Sequence, residues 1–312
     1  MLSNYINNLR FFNNQFNNYI PIMSKQLNNN IFNYQKYLKE KIKEKHTNTN
    51  LNNNELNNNK LNNNELNNNE LNNNELNNKV SNIFIRIGVD EVARGCLIGP
   101  VVSSSVVIND TKLLQLSDNE IKKIPDIKDS KKLSSIKRKK AEEWIKNEGA
   151  LYYGYGESNT EEIYNYNIRN ATFLSMNRSI LECLDKIKKD TNNINSNLNI
   201  NNNIHLLIDG NAFKIMDEYK NDFSNYNLKI DTIIKGDDKE LSIACASILA
   251  KEYRDNLINN LVKKDKSLEK YNWDKNKGYG TKDHFNKILK HGITIHHRLG
   301  FLNKMFKREN LN

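Results

Sequence analysis

From Leu51 to Asn78 the chain repeats a five-residue unit, LNNNE, and Asn fills 17 of the 28 positions. Asn is a poor helix former because its short amide competes for backbone hydrogen bonds. One Leu every five residues advances about 140° around a helix of 3.6 residues per turn. Such leucines spiral around the surface without forming a seam, which argues against a coiled coil. Too little apolar surface is available to offset the entropy of ordering, so the expectation is a low-complexity disordered segment. The repeat therefore bounds what can fold. An Asn-rich extension over 1–82 is set aside, and one domain over 83–312 is expected. Within it, "TNNINSNLNINNN" (about 191–203) reads as a surface loop inserted between two elements.

The whole chain carries 47 Lys+Arg against 37 Asp+Glu, a formal charge of +10. Residues 1–78 hold 8 and 6 of these, which leaves 39 and 31, a net +8, on the folding part. A basic body suits a polyanion such as nucleic acid, although charge alone serves solubility equally well. Cys96, Cys183 and Cys245 are scattered and form no C-x-x-C pair, which argues against zinc and against a disulfide framework. A reducing intracellular compartment is expected: nucleus, cytoplasm or a DNA-containing organelle. No run of about 18 apolar residues is present, so no membrane association is expected. Residues 1–50 contain seven Lys+Arg against two Glu, which leaves a targeting role for the extension open.

"NIFIRIGVD" (82–90) alternates Ile83, Ile85, Ile87 and Val89 on one side, the pattern of a strand. "PVVSSSVVI" (100–108), "ALYYGYG" (150–156), "IHLLID" (204–209) and "LKIDTIIKGD" (228–237) are further strands. Helices are expected over 134–147 with a serine N-cap, over 159–189 with Asn159 or Thr160 as cap, and over 239–264. A last helix over 281–292 ends at Gly292, placed for a left-handed C-cap. Three strands followed by alternating helices and strands indicate one α/β domain with a mixed sheet.

Acids stand at the C-terminal ends of three of these strands: Asp90 with Glu91, Asp209 in "LLIDGN", and Asp237 in "IIKGDD". Strand ends are where α/β sheets place their ligands. Converging carboxylates repel, and a divalent cation relieves the conflict; all-oxygen ligands select Mg²⁺ or Mn²⁺ over zinc. Acids holding such ions in a basic body point to phosphodiester cleavage. Singly, each signal is weak, because Asp-Gly is usually a turn and Asp237-Asp238 between lysines can be a solvated charge run. Its recurrence at three strand ends carries the argument.

"GVDEVARGCLIGPVV" (88–102), "DSKKLS" (129–134), "LLIDGN" (206–211), "KGDDKELSIACASILAKEYRD" (235–255), "GYGT" (278–281) and "HHRLGF" (296–301) together resemble ribonuclease HII in motif and order. The resemblance implies a ribonuclease H-like fold, with a five-stranded mixed sheet flanked by helices and a C-terminal helical extension. It also implies an endonuclease that cleaves RNA in RNA/DNA hybrids and nicks 5′ of single ribonucleotides in duplex DNA. The products would be 5′-phosphate and 3′-hydroxyl ends, with roles in ribonucleotide and primer removal. The four family acids fall on Asp90, Glu91, Asp209 and Asp237, with Asp90 bridging two metal ions. Substrate contacts fall on Ala93, Arg94, Gly95, Lys131, Lys132 and Tyr279, the last packing on the sugar beside the ribonucleotide. The family usually has glycine at position 93, so Ala93 is a departure that bears on junction preference.

His296 and His297 are read as supports of the substrate-side surface. Ser247 and Lys251, at i, i+4 spacing, are read as helix packing rather than as a nucleophile pair. Gly300 is given no role. The alternatives are a DNA endonuclease or resolvase on the same fold, and a catalytically silent nucleic-acid-binding subunit. Protein partners are not specified by the sequence, and a monomer is consistent with it.

Overall fold

The structure, a computed structural model, describes residues 84–193 and 202–308. The expected extension over 1–82 lies outside the described residues, as do residues 194–201 of the expected loop. That loop is also shorter than 191–203, because residues 191–193 continue a helix and Asn203 opens a strand.

Five strands form one sheet: β1 (Ile85–Val92), β2 (Val101–Ile108), β3 (Ala150–Ser158), β4 (Asn203–Asp209) and β5 (Asn227–Ile233), in the order β3-β2-β1-β4-β5. β1, β2 and β3 are antiparallel meander neighbours, whereas β1, β4 and β5 run parallel. Every residue of β2 is buried, as a strand covered on both faces requires, while β5 at the edge alternates exposed and half-buried positions. β5 ends at Ile233, earlier than the expected 237, because Lys235 takes a left-handed conformation (φ 56°) that strand pairing cannot continue.

Helix α1 (Ser135–Trp144) is capped by Ser134, whose hydroxyl accepts from the Lys137 amide. Helix α2 (Thr160–Asn193) begins with Asn159 and Glu162 exchanging side-chain-to-amide hydrogen bonds. It breaks at Asn167 (φ 63°), whose side chain caps the continuing segment through the Arg169 and Asn170 amides. α2 lies on one face of the sheet over Ile85, Ile87, Val89, Leu206 and Ile208. Its approach is close: a Cβ at Gly156 would stand 2.0 Å from the Ser175 carbonyl oxygen. Ser103 and Ser105 of β2 meet Ser175 and Ser179 of α2 at 2.6 and 2.7 Å.

Helix α3 (Leu241–Lys264) covers the other face, where Ala244, Cys245, Ala246, Ile248 and Leu249 pack with Val106 and α1. Its small residues let the backbone come within reach of β1, and a Cβ at Gly88 would collide with Ser242 at 2.4 Å. Helices α4 (Lys282–His291) and α5 (Leu299–Arg308) complete the described residues. α5 follows what the sequence suggested was the last helix. Gly292 does have a positive φ of 81°, but its ψ of −176° is extended rather than the expected left-handed cap. Among the described residues no helix is long and apolar enough to cross a membrane, and all three cysteines are buried and free.

Candidate active site

Alternation along β1 sends Ile85, Ile87 and Val89 toward α2 and leaves Gly88 and Asp90 facing α3. The parallel register pairs Val89 with Ile208, so Asp90 and Asp209 each stand one residue beyond that pair on neighbouring strands. β4 stops at Asp209, and the β1 edge beside Glu91 therefore has no further partner strand on that side. Asp90, Glu91 and Asp209 offer oxygen atoms that all lie within 4.8 Å of one another. Three carboxylates at this spacing, with no nitrogen or sulfur donor among them, fit a hard divalent cation.

The electrostatics agree with that fit. Burial, then the charges of Glu91 and Asp209, push the Asp90 carboxyl well above the usual range, against a hydrogen bond from Ser247 and one from the Glu91 amide at 2.7 Å. Burial also raises Glu91, opposed mainly by Arg94, whose guanidinium is 3.2 Å away. Asp209 Oδ1 accepts from the Gly236 amide at 2.7 Å. A side chain at Gly236 would press on Ile243 at 2.6 Å, so the turn needs glycine to bring its amide to the acid.

Asp237 lies outside the tight trio. It is buried in the turn after β5, and burial, followed by the charges of Asp209, Asp129 and Asp238, pushes it up to about 6. The structure thus brings three of the four expected acids into one locus and holds the fourth as their electrostatic neighbour.

The two lysines of "DSKKLS" separate. Lys132 is tied down by Asp238 at 2.5 Å and lies 3.8 Å from Asp129. Lys131 is exposed and contributes positive potential at both Glu91 and Asp237. Their loop is anchored by Arg138, which donates to the Leu133 carbonyl at 2.9 Å while pairing with Glu252 of α3 at 2.6 Å.

Residues 93–99 form the turn that follows β1. Ala93 has φ 71°, a left-handed conformation that costs an L-residue about 1–2 kcal/mol. Gly95 is unstrained, and a Cβ there would meet nothing within 4 Å. The glycine whose freedom the backbone conformation calls for is therefore at 93, where the chain has alanine, whereas Gly95 leaves open space over the turn. Arg298, itself buried, donates from Nε to the Gly99 carbonyl at 2.8 Å and from Nη1 to those of Ala93 at 2.8 Å and Arg94 at 3.1 Å. Arg254 of α3 donates to the carbonyls of Ile98 and Lys277. The Leu97 amide bonds to the Gly278 carbonyl at 2.8 Å, and Cys96 bridges Tyr279. Two buried guanidiniums thus clasp this turn between the "GYGT" and "HHRLGF" segments.

Sequence reasoning missed Arg298 and Arg254, and the structure adds detail to two of its readings. Ser247 does more than fill space, since its hydroxyl donates to that of Ser130 at 3.0 Å and ties α3 to the loop that carries Lys131 and Lys132. Lys251, one turn on, pairs with Asp255 at 2.7 Å and sits 5.4 Å from the Tyr279 ring centroid. These contacts are one helical turn apart, about 6 Å along α3, so the helix runs from the Ser130 loop to the Tyr279 ring. His297 supports the 93–99 turn from within, its backbone bridging Ile98. It is buried beside Tyr271, Trp273 and His284, with Nδ1 accepting from the Thr294 amide at 2.8 Å. His296 contributes an edge-on contact to Trp273. Gly300 has open space around it.

Against known proteins, the family model described as ribonuclease HII matches residues 87–306. A ribonuclease HII of Pelagibacter ubique (strain HTCC1062) is 40% identical over 217 residues, covering 69% of this chain and 94% of the relative. That of Clostridioides difficile (strain 630) is 40% identical over 216 residues, covering 69% of each. Among solved structures, the ribonuclease H2 of Pyrococcus horikoshii OT3 aligns with a TM-score of 0.45 and 22% identity, covering 73% of this chain and 99% of that one.

Proposed function

Because the chain belongs to the ribonuclease HII family, an endonuclease group that hydrolyses phosphodiesters of RNA in RNA/DNA hybrids, we propose that it nicks 5′ of single ribonucleotides in duplex DNA as well as cleaving continuous hybrids. The observation that carries this reading is the meeting of Asp90, Glu91 and Asp209 at the open end of adjacent parallel strands, beside a turn with clear space over Gly95.

The enzyme is divalent-metal dependent, and Asp90, Glu91 and Asp209 would hold the ion, with Asp237 next to them. When bound, Mg²⁺ or Mn²⁺ supplies Lewis acidity at the scissile phosphate and neutralises the clustered carboxylates. The chain's own residues do the rest. Arg94 pairs with Glu91 at 3.2 Å and opposes the rise that burial imposes on it, and the Gly236 amide aims Asp209 at the locus. Among the described residues the Lys131 ammonium has no ion-pair partner and is offered to a backbone phosphate, whereas Lys132 is held by Asp238. Arg94, half exposed at the tip of the clasped turn, reaches the phosphate with the amides of residues 93–95. Tyr279 packs on the sugar next to the ribonucleotide, whose 2′-hydroxyl separates RNA from DNA at that position. The products are a 5′-phosphate and a 3′-hydroxyl, suited to ribonucleotide removal and primer removal.

Cleavage of matched duplexes containing zero, one or four ribonucleotides, in Mg²⁺ and in Mn²⁺, tests the proposal. Cuts at the one- and four-ribonucleotide duplexes are expected, with the all-DNA duplex intact. Cleavage confined to the four-ribonucleotide duplex would remove the single-ribonucleotide activity.

A further inference from the structure

Tyr279 is held in place by a histidine whose protonation pattern its neighbours dictate. Thr281 caps α4 by accepting from the His284 amide at 3.2 Å, so His284 occupies the third position of the helix. Side chains of a helix point toward its N-terminus, and His284 is accordingly directed back at the turn that carries Tyr279. Trp273 Nε1 stands 2.9 Å from His284 Nε2, and the other ring nitrogen, Nδ1, stands 3.0 Å from the Tyr279 carbonyl oxygen. An indole N–H can only donate, so Nε2 must present its lone pair. The neutral ring then carries its proton on Nδ1 and donates it to the Tyr279 carbonyl. His284 is fully buried, which favours this neutral form.

The Tyr279 carbonyl also accepts from the Thr281 amide at 2.8 Å, and the Tyr279 amide donates to the Asn276 carbonyl at 3.0 Å, so the imidazole adds a side-chain donor to a turn that its own backbone bonds already shape. A Cβ at Gly278 would stand 2.2 Å from Ile98, so the "GYGT" turn rests directly on the clasped turn of the candidate active site. Above it, the Lys251 ammonium lies against the Tyr279 ring and is itself fixed by Asp255. We infer that His284 is a positioning residue for substrate discrimination: its Nδ1–H holds the Tyr279 main chain so that the ring meets the sugar beside the scissile ribonucleotide. The inference rests on the reading of Tyr279 as the sugar-contacting ring, and it adds the Trp273–His284 pair to the specificity apparatus.

Two amide isosteres separate the halves of the relay. Asn at 284 places an N–H donor near Nδ1 and keeps the bond to Tyr279; Gln places its terminus near Nε2 and keeps only the partner of Trp273. The readout is the ratio of kcat/KM on a duplex with one ribonucleotide to that on a continuous hybrid. His284→Asn is expected to keep the wild-type ratio, and His284→Gln to lower it about fivefold, the effect of one hydrogen bond. Equal ratios in the two variants, whether both normal or both lowered, would overturn the inference, since a core-filling role does not distinguish them. Tyr279→Ala is run beside them. An unchanged ratio there overturns the reading of Tyr279 itself; a lowered ratio with a normal His284→Gln overturns the positioning role alone. In the Tyr279→Ala background His284→Gln should add nothing to the ratio. Should either His284 variant fail to fold by circular dichroism, Trp273→Phe removes the indole donor that selects the tautomer. It is expected to lower the ratio about twofold to threefold, and a wild-type ratio would count against the inference.

Discussion

The acid locus and the clasped turn, although adjacent in space, are built by different means. Asp90 and Asp209 are placed by strand pairing: two parallel strands in register carry them to the same level, and their neighbours Val89 and Ile208 are fully buried. The 93–99 turn lies outside the sheet and meets the segments around Gly278 and His296 through isolated backbone bonds. It follows a strained Ala93 and is held by buried guanidiniums from Arg254 and Arg298, which arrive from 150 to 200 residues away in sequence. The comparison teaches that the acids are anchored in the backbone ladder, whereas the turn depends on long-range side-chain bonds and a few isolated backbone ones. Substitutions in the two regions should therefore fail differently.

The largest expected effect is at the acids. Asp90→Asn or Asp209→Asn should lower kcat by at least about 100-fold, with the melting temperature unchanged or raised because clustered repulsion is relieved. Near-normal turnover by Asp90→Asn would sink the metal-holding role. The opposite pattern is expected of Arg298→Met. It leaves the carbonyls of Ala93, Arg94 and Gly99 without their donor and should destabilise the protein by about 2 kcal/mol or more, read as a lowered denaturation midpoint. A midpoint equal to wild type would show that the clasp does not hold the turn.

A smaller effect separates the regions by pH. Burial pushes His297 down to about 4, and His284 is lowered too, again chiefly by burial. Unfolded histidines take up protons near pH 6.5. Between about 6.5 and 4 the unfolded state thus binds more protons, so stability contributed by this cluster falls as pH drops through that window and is flat above it. Tryptophan fluorescence, followed through unfolding at pH 7 and pH 5, should show the loss, and His297→Gln should reduce it, leaving the part that His284 contributes.

Ala93→Gly sharpens the comparison most finely. Relief of the positive φ, about 1–2 kcal/mol, is offset by the greater freedom of the unfolded chain, about 0.4–1 kcal/mol, and by loss of a buried methyl, about 0.8 kcal/mol. Stability should move by less than about 1 kcal/mol. The effect should appear instead in selectivity, as an increase in single-ribonucleotide cleavage relative to hybrid cleavage. A large stability change with unchanged selectivity would make Ala93 a structural position only.

Much of the site was legible in the sequence for a physical reason. A strand's period of two marks its own faces, and an acid after an apolar run marks its own strand end, so Asp90 and Asp209 announced themselves locally. Their adjacency was not local, because which strands are neighbours depends on the sheet order β3-β2-β1-β4-β5. The position of Asp237 shows the same limit: the left-handed Lys235 ended the strand early and set that acid beside, not within, the trio. Arg298 sat in a motif quoted for its resemblance, yet no pattern in that motif says that a guanidinium will be buried against carbonyls 200 residues away.

By itself the sequence determined where the main strands and helices run and which acids stand at strand ends, since these follow from local periodicity and capping. Tertiary structure alone decided that Ser247 donates to Ser130, that Lys132 pairs with Asp238, and that Arg298 is buried against the carbonyls of Ala93 and Gly99. Each of these is a contact between groups far apart in the chain. Its energy depends on distances and burial that come into existence only when the sheet and its two helical layers close.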